Sequence, residues 1–216
     1  SHAGYIKRVP AATYRSQKRG GRGVTGQTLK DEDFVEGVFS ASTHDHILFF
    51  TNMGRVHRRK GYQIPEGGRV AKGTNIVNIL PLEPGEKVTA GLTVREFDKD
   101  NLLFVTRQGT VKRLTLESLN TARKAGIRAL TLAEGDELIA VMKTSGNQNI
   151  LLATADGMAI CFNENDVRVM GRDAAGVRGI ALSDGDYVVG AGIAAEGCQL
   201  LTVTELGYGK RTEIAD

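Results

Sequence analysis

A hairpin-like pattern recurs along this chain at a spacing near fifty residues, and no other feature restricts its fold as much. Each copy has an apolar strand, a short turn closed by glycine, and a strand carrying basic residues. The copies run Ile47 to Arg58, Leu102 to Arg113, Ile150 to Cys161 and Leu200 to Arg211, with a partial copy at Ser1–Arg8. The turn glycines fall at positions 4, 54, 109, 157 and 207, in steps of 50, 55, 48 and 50. Self-similarity at such a period belongs to propellers and related arrays.

Three further features keep the same order in each repeat. A second glycine lies 19 residues beyond the first in Gly23, Gly73 and Gly176, and 17 beyond it in Gly126. Basic residues surround it: Lys18, Arg19 and Arg22; Arg69 and Lys72; Arg123, Lys124 and Arg128; Arg172 and Arg178. An acidic turn follows (Asp31–Asp33, Glu83–Glu86, Glu134–Glu137, Asp184–Asp186) and leads into another apolar strand. The repeats fall at about 1–44, 45–99, 100–147, 148–197 and 198–216, the last partial, within one domain.

The apolar runs are short, rich in Val, Ile, Leu, Phe and Thr, and end at glycine or Asn/Asp turns, which marks strands. No window holds the i, i+3, i+4, i+7 pattern of a long helix. Glycine makes up 27 of 216 residues, well above the usual ~7%. The chain is therefore expected to be all-β, with propeller-like blades of four antiparallel strands. No apolar run is long enough to span a membrane as a helix, and no signal-peptide pattern opens the chain. Cys161 and Cys198 read as reduced, small apolar fillers.

The formal net charge is only +3, but its distribution matters more than its sum. Acidic residues gather in one recurring turn and basic residues elsewhere, so one face of a repeat array can be strongly positive. Lys7-Arg8, Lys112-Arg113 and Lys210-Arg211 stand three and four residues beyond their turn glycines. His57 and Arg58 hold those places in the second copy, flanked by Arg55, Arg59 and Lys60. Residues +3 and +4 point to opposite faces of a strand. Their recurrence therefore suits an edge strand at an outer rim. Ile160 and Cys161 break the pattern in the fourth copy.

The first repeat adds Gln17-Lys18-Arg19-Gly20-Gly21-Arg22-Gly23. Backbone built on glycine can approach a ligand closely and present consecutive N–H groups to an anion, while guanidinium groups bind phosphate bidentately. The same composition also describes a solvated basic turn.

This segment resembles the basic glycine box found in the C-terminal domain of the DNA gyrase A protein. Thr43–Ile47, Ile76–Leu82, Gly176–Ile180 and Gly207–Thr212 also match that family's pattern, so the resemblance runs from end to end. It implies a six-bladed β-pinwheel that wraps double-stranded DNA around a basic rim, with the box holding the wrap beside the first blade. The resemblance also implies a cytoplasmic, nucleoid-associated protein without catalytic residues, metal or cofactor in this domain. The catalytic tyrosine, ATP and Mg2+ would belong to the parent enzyme, an ATP-dependent DNA topoisomerase. Implied partners are the N-terminal cleavage domain of the same polypeptide and the ATPase subunit of the parent heterotetramer. Four repeats and a remnant fall short of six blades, so the chain is expected to be a piece of a longer protein.

Three other readings stay open. The equivalent domain of topoisomerase IV shares the fold but carries a degenerate box. A protein-interaction propeller needs exposed aromatics, yet these are 6% of the chain and Trp is absent. An enzymatic propeller would need a catalytic or metal cluster: His44 and His46 share one strand face but have no identifiable third or fourth ligand, and the acidic turns lack the alternating spacing of a calcium loop.

Overall fold

The structure, a computed structural model, describes residues 1–14, 19, 25–29, 33–121, 123 and 125–214. Its strands follow the glycine-turn pattern: β1 (Tyr5–Ile6), β2 (His46–Thr51), β3 (Arg55–Lys60), β4 (Thr74–Asn75) and β5 (Val88–Val94). Then come β6 (Asn101–Thr106), β7 (Thr110–Thr115), β8 (Ile127–Arg128), β9 (Leu138–Thr144) and β10 (Asn149–Thr154). The last are β11 (Ala159–Asn163), β12 (Val177–Arg178), β13 (Val188–Ala194), β14 (Gln199–Val203) and β15 (Gly209–Glu213). Single turns of 3-10 helix join some of them, and among the described residues no helix is long and apolar enough to cross a membrane.

Two compact units result. One comprises Ser1–Phe97 with Ala122–Arg128, the other Asp98–Thr121 with Ala129–Asp216. The first contains the sheet β5-β2-β3-β8 and the pair β1-β4. The second contains β9-β6-β7-β12, β13-β10-β11 and β14-β15. All these pairings are antiparallel.

The hairpin turns repeat one local solution. Gly54, Gly109 and Gly157 donate their N–H to the carbonyls of Thr51, Thr106 and Thr154 at 2.9–3.1 Å. The same threonine hydroxyls accept the N–H of Arg55, Thr110 and Met158. Each threonine also sits at a register shift against the following long strand. Strands β2 and β6 lie between two neighbours in their sheets. Both faces of β6 are covered, so Leu102–Thr106 is buried without alternation, as in sheets enclosed on both sides.

The fourth strand of each four-stranded sheet comes from the next repeat. Ile127–Arg128 pairs with Arg55–Val56, and Val177–Arg178 pairs with Thr110–Val111. Thr74–Asn75 pairs with Tyr5–Ile6 in the same way. Strands β3 and β7 are thus interior, not the edge strands expected from their paired cations. The second glycine makes this contact possible. A Cβ on Gly73 would lie 2.6 Å from the Ile6 carbonyl oxygen, and one on Gly176 2.5 Å from that of Val111. On Gly126 it would meet the His57 ring at 2.7 Å. All three have positive φ, between +79° and +100°.

Behind the sheet of the first unit, Ile47, Phe49, Ile64 and Leu80 form a core joined by Ile6, Ile76 and Val88. The second unit buries Leu103, Val105, Val111, Ile150, Leu152 and Val188 together.

Two alanine substitutions separate close approach from backbone conformation. Gly176→Ala meets both the Val111 carbonyl and a φ of +100°, whereas Gly185→Ala has φ +80° with open space around it. Urea unfolding is expected to show a loss of about 3 kcal/mol for Gly176→Ala and about 1 kcal/mol for Gly185→Ala. Equal losses would mean that the exchanged strand does not require a glycine there.

Candidate nucleic-acid interface

The interior position of β3 and β7 changes what their basic residues do. Lys112 is wholly buried, and its ammonium donates to the carbonyls of Ala129, Arg172 and Ala174 at 2.7, 2.6 and 2.9 Å. Lys7 is half-buried and donates to the carbonyls of Gly26, Gly68, Arg69 and Ala71 at 2.6–3.0 Å. Burial lowers the pKa of both; for Lys7, repulsion from Arg69 adds to it, and Lys112 falls to about 8. Neither ammonium is turned to an outer rim, because the loop before the exchanged strand closes over it.

Their neighbours are also engaged within the chain. Arg8 meets Glu66 at 3.0 Å and the Ile64 carbonyl. Arg113, nearly buried, reaches Asn165 at 2.8 Å and Glu164 at 3.4 Å. Arg55 contacts Glu83, Glu86 and the Ala125 carbonyl. Arg58 lies over the Phe97 ring, Arg59 donates to the Ile79 carbonyl, and Lys60 to that of His44.

Two buried carboxylates anchor these contacts, and no local pattern in the chain marks them as enclosed. Glu86, from one of the recurring acidic turns, accepts from the Thr51 hydroxyl at 2.8 Å and the Glu83 N–H at 2.8 Å, and faces His57 Nε2 at 3.4 Å. Glu164 accepts from the Thr144 hydroxyl at 2.6 Å and from the N–H groups of Gly146 and Gln148, both at 2.9 Å. Burial alone would raise both carboxyls. The donors and the nearby arginines outweigh it and hold both below the usual carboxylate range. Burial keeps His57 below the usual histidine range despite Glu86. The other acidic turns also serve the backbone: Asp136 accepts from the Gln108 N–H and Asp186 from that of Asp156.

Of the candidate cations, those left outward lie on the exchanged strands, on the loops before them and on β15. Arg123, Arg128, Arg172 and Arg178 are exposed, as are Lys210 and Arg211 on β15. Among the described residues Arg128, Arg172 and Arg178 form no ion pair. Arg128 stands directly opposite Arg55 in the sheet. Glu83 and Glu86 neutralise Arg55, so Arg128 is left as the outward charge. In the second repeat Arg69 donates to the Thr25 carbonyl, and the Lys72 ammonium sits 3.7 Å above the Tyr5 ring. Arg19 is exposed. Gln17, Lys18, Gly20, Gly21, Arg22, Gly23 and Lys124 lie outside the described residues.

His44 is exposed against the edge of Tyr62. His46 is half-buried beside Phe97, and burial with Lys60 and Arg58 lowers its pKa. Among the described residues no group of three or more His, Cys, Asp or Glu is placed to hold a metal. Cys161 and Cys198 are free thiols but exposed, so they are not core fillers.

The buried ammonium gives a pH signature. The unfolded chain keeps the Lys112 proton up to its ordinary 10.5, the folded chain only to about 8. Between those values the unfolded state binds more protons, so this group makes stability rise with pH. The stability of wild type relative to Lys112→Met should be flat below pH 8 and rise by up to about 3 kcal/mol by pH 10.5. Urea melts across that range measure it, and a constant difference would refute the buried, perturbed ammonium.

Comparison with known proteins agrees with this architecture. Residues 1–42, 45–95, 100–145, 148–195 and 199–216 match the family described as DNA gyrase C-terminal domain, beta-propeller. The DNA gyrase A protein of Staphylococcus epidermidis (strain ATCC 12228 / FDA PCI 1200) is 49% identical over 220 residues, spanning all of this chain and 25% of that protein. Its counterpart in Lawsonia intracellularis (strain PHE/MN1-00) is 50% identical over 218 residues, spanning 99% and 27%. The chain thus spans about a quarter of the length of these relatives. The C-terminal domain of a DNA topoisomerase IV superposes with TM-score 0.84 at 28% identity, covering 99% of this chain and 65% of that one. A DNA gyrase A C-terminal domain superposes with TM-score 0.69 at 27% identity, covering 97% and 68%. With its repeats matched from the first residue to the last and its sheets those of a β-pinwheel, the chain belongs to the DNA gyrase C-terminal domain family.

Proposed function

We propose that this chain binds and bends duplex DNA as the wrapping module of a type IIA topoisomerase, within a DNA gyrase A protein. In that reading it directs negative supercoiling by an ATP-dependent isomerase. The observation that carries it is the partition of charge. Glu86 and Glu164 are enclosed among N–H groups and hydroxyls, and Asp136 and Asp186 accept turn amides, while the exchanged strands and their loops turn Arg123, Arg128, Arg172 and Arg178 outward. A surface so arranged attracts phosphate although the net charge is small. Among the described residues the helices are single 3-10 turns, so none can lie in a major groove as a recognition helix. Sequence preference should therefore follow DNA flexibility. The glycine box Gln17–Gly23 would hold the wrap beside the first repeat.

Topoisomerase IV is the second reading, favoured by the higher structural similarity of its C-terminal domain. Identity near one half to gyrase A proteins over the whole chain weighs more than that superposition. Partners in this reading are duplex DNA, the cleavage domain of the same polypeptide and the ATPase subunit. The cleavage tyrosine, ATP and Mg2+ belong to those parts, so the chain alone should neither cut DNA nor hydrolyse ATP.

Ligation of nicked circles with the chain bound is expected to shift linking number. Replacing Lys18, Arg19 and Arg22 together with alanine should reduce that shift more than it reduces DNA affinity. For 6–10 phosphate contacts, affinity should fall by about 10³–10⁵ between 50 and 200 mM salt. A flat salt titration would remove the phosphate reading, and an unchanged linking shift in the triple variant would remove the role of the box.

A further inference from the structure

Lys7 and Lys112 occupy the same place in their repeats, and their ammonium groups meet the same places in the chain. Lys112 binds the carbonyls two and four residues before Gly176, those of Ala174 and Arg172. Lys7 binds the carbonyls two and four residues before Gly73, those of Ala71 and Arg69. Each also reaches back to its own repeat, three residues past the second glycine position: Ala129 for Lys112, Gly26 for Lys7. The loop around each ammonium is closed at both ends. It opens at a parallel bridge, Arg8 with Glu66 or Arg113 with Val169, and ends on the exchanged strand. The enclosed loops are those that carry Arg69 and Lys72, and Arg172 with Arg178 following.

We infer that Lys7 and Lys112 are positioning residues: each fixes the basic loop of the following repeat in the shape that presents its cations to phosphate, without touching DNA itself. This rests on the DNA-binding reading above. The argument is one of geometry and valence. An ammonium has three donors and no acceptor. Backbone carbonyls in an irregular loop need donors that the loop's own N–H groups do not supply. One buried ammonium therefore gathers carbonyls from two repeats around a point, and the loop between them cannot swing without breaking several short bonds together. Hydrogen bonds from a charged donor are roughly twice as strong as neutral ones. In the second repeat His57 replaces the lysine, and there the ring itself fills the space beneath Gly126.

The test uses the whole chain and a duplex of mixed sequence, and reads the slope of log affinity against log salt. Each phosphate contact contributes about −0.9 to that slope. Lys112→Met should weaken the slope by about 2, as should Arg172→Ala/Arg178→Ala, because both remove the same two contacts. The triple variant should lose no more than either, since coupled residues are not additive. A merely structural lysine would leave the slope of the folded variant at the wild-type value. That result, or additive losses in the triple variant, overturns the inference while leaving the DNA reading intact. A wild type without salt-dependent affinity overturns both. Should Lys112→Met fail to fold, as circular dichroism would reveal, Lys7→Met with Arg69→Ala/Lys72→Ala poses the same question in the first unit.

Discussion

Strand exchange between successive repeats is the constraint on which the rest of the structure depends. Neither four-stranded sheet is complete within one repeat; its fourth strand arrives only when the chain has gone on to the next. The exchange demands a residue without a Cβ where the returning strand presses on the one before it, and glycine stands there at positions 73, 126 and 176. It also demands something beneath the returning loop, which Lys7, His57 and Lys112 supply. Arrays of this kind gain much of their stability at the contacts between neighbouring repeats. Exchange strengthens that coupling, because each unpaired neighbour would leave a row of backbone groups without partners.

The separation of charge follows from the same geometry. A tight turn with a residue at positive φ leaves N–H groups pointing outward, and only an acceptor can satisfy them. Carboxylates are recruited there, so Asp136 and Asp186 bind turn amides while Glu86 and Glu164 sink among hydroxyls and N–H groups. The irregular loops leave carbonyls instead, and only a donor can satisfy those, which suits Lys7 and Lys112. Acids are thus drawn to hairpin ends, and these two lysines are drawn inward. The cations left over lie where the exchanged strand has an open side. A net charge of +3 summed over the chain conceals this sorting.

Much of the fold was legible because its signals are local. Turns closed by glycine, a second glycine at a near-constant distance and short apolar runs each act over a few residues, and together they revealed the repeat, the strands and the all-β class. The burial of Lys112 and Arg113 was not legible for the opposite reason. Whether β7 is an edge strand depends on Val177–Arg178 of the following repeat, which strand alternation in Thr110–Thr115 cannot reveal. The outward cations were recognised as basic residues near the second glycine. Nothing local distinguished Arg128, which is exposed, from Lys112, which is not. Glu164 carried no sequence signal beyond its charge, because its enclosure depends on Thr144 and Arg113 from distant strands.

Bending DNA requires more of a protein than attracting it. Smoothly bending 20–30 base pairs by 40–90° costs roughly 1–6 kcal/mol, and counterion release on phosphate contact must offset that. A cation on a free loop can follow a straight duplex, gains its contact there, and leaves the duplex unbent. A cation on a loop fixed by a buried ammonium cannot follow, so the DNA must come to it. If the chain wraps DNA as proposed, stiffness in the carbonyl cage is what would convert phosphate affinity into curvature, and Lys7 and Lys112 would determine whether the chain merely holds DNA or wraps it.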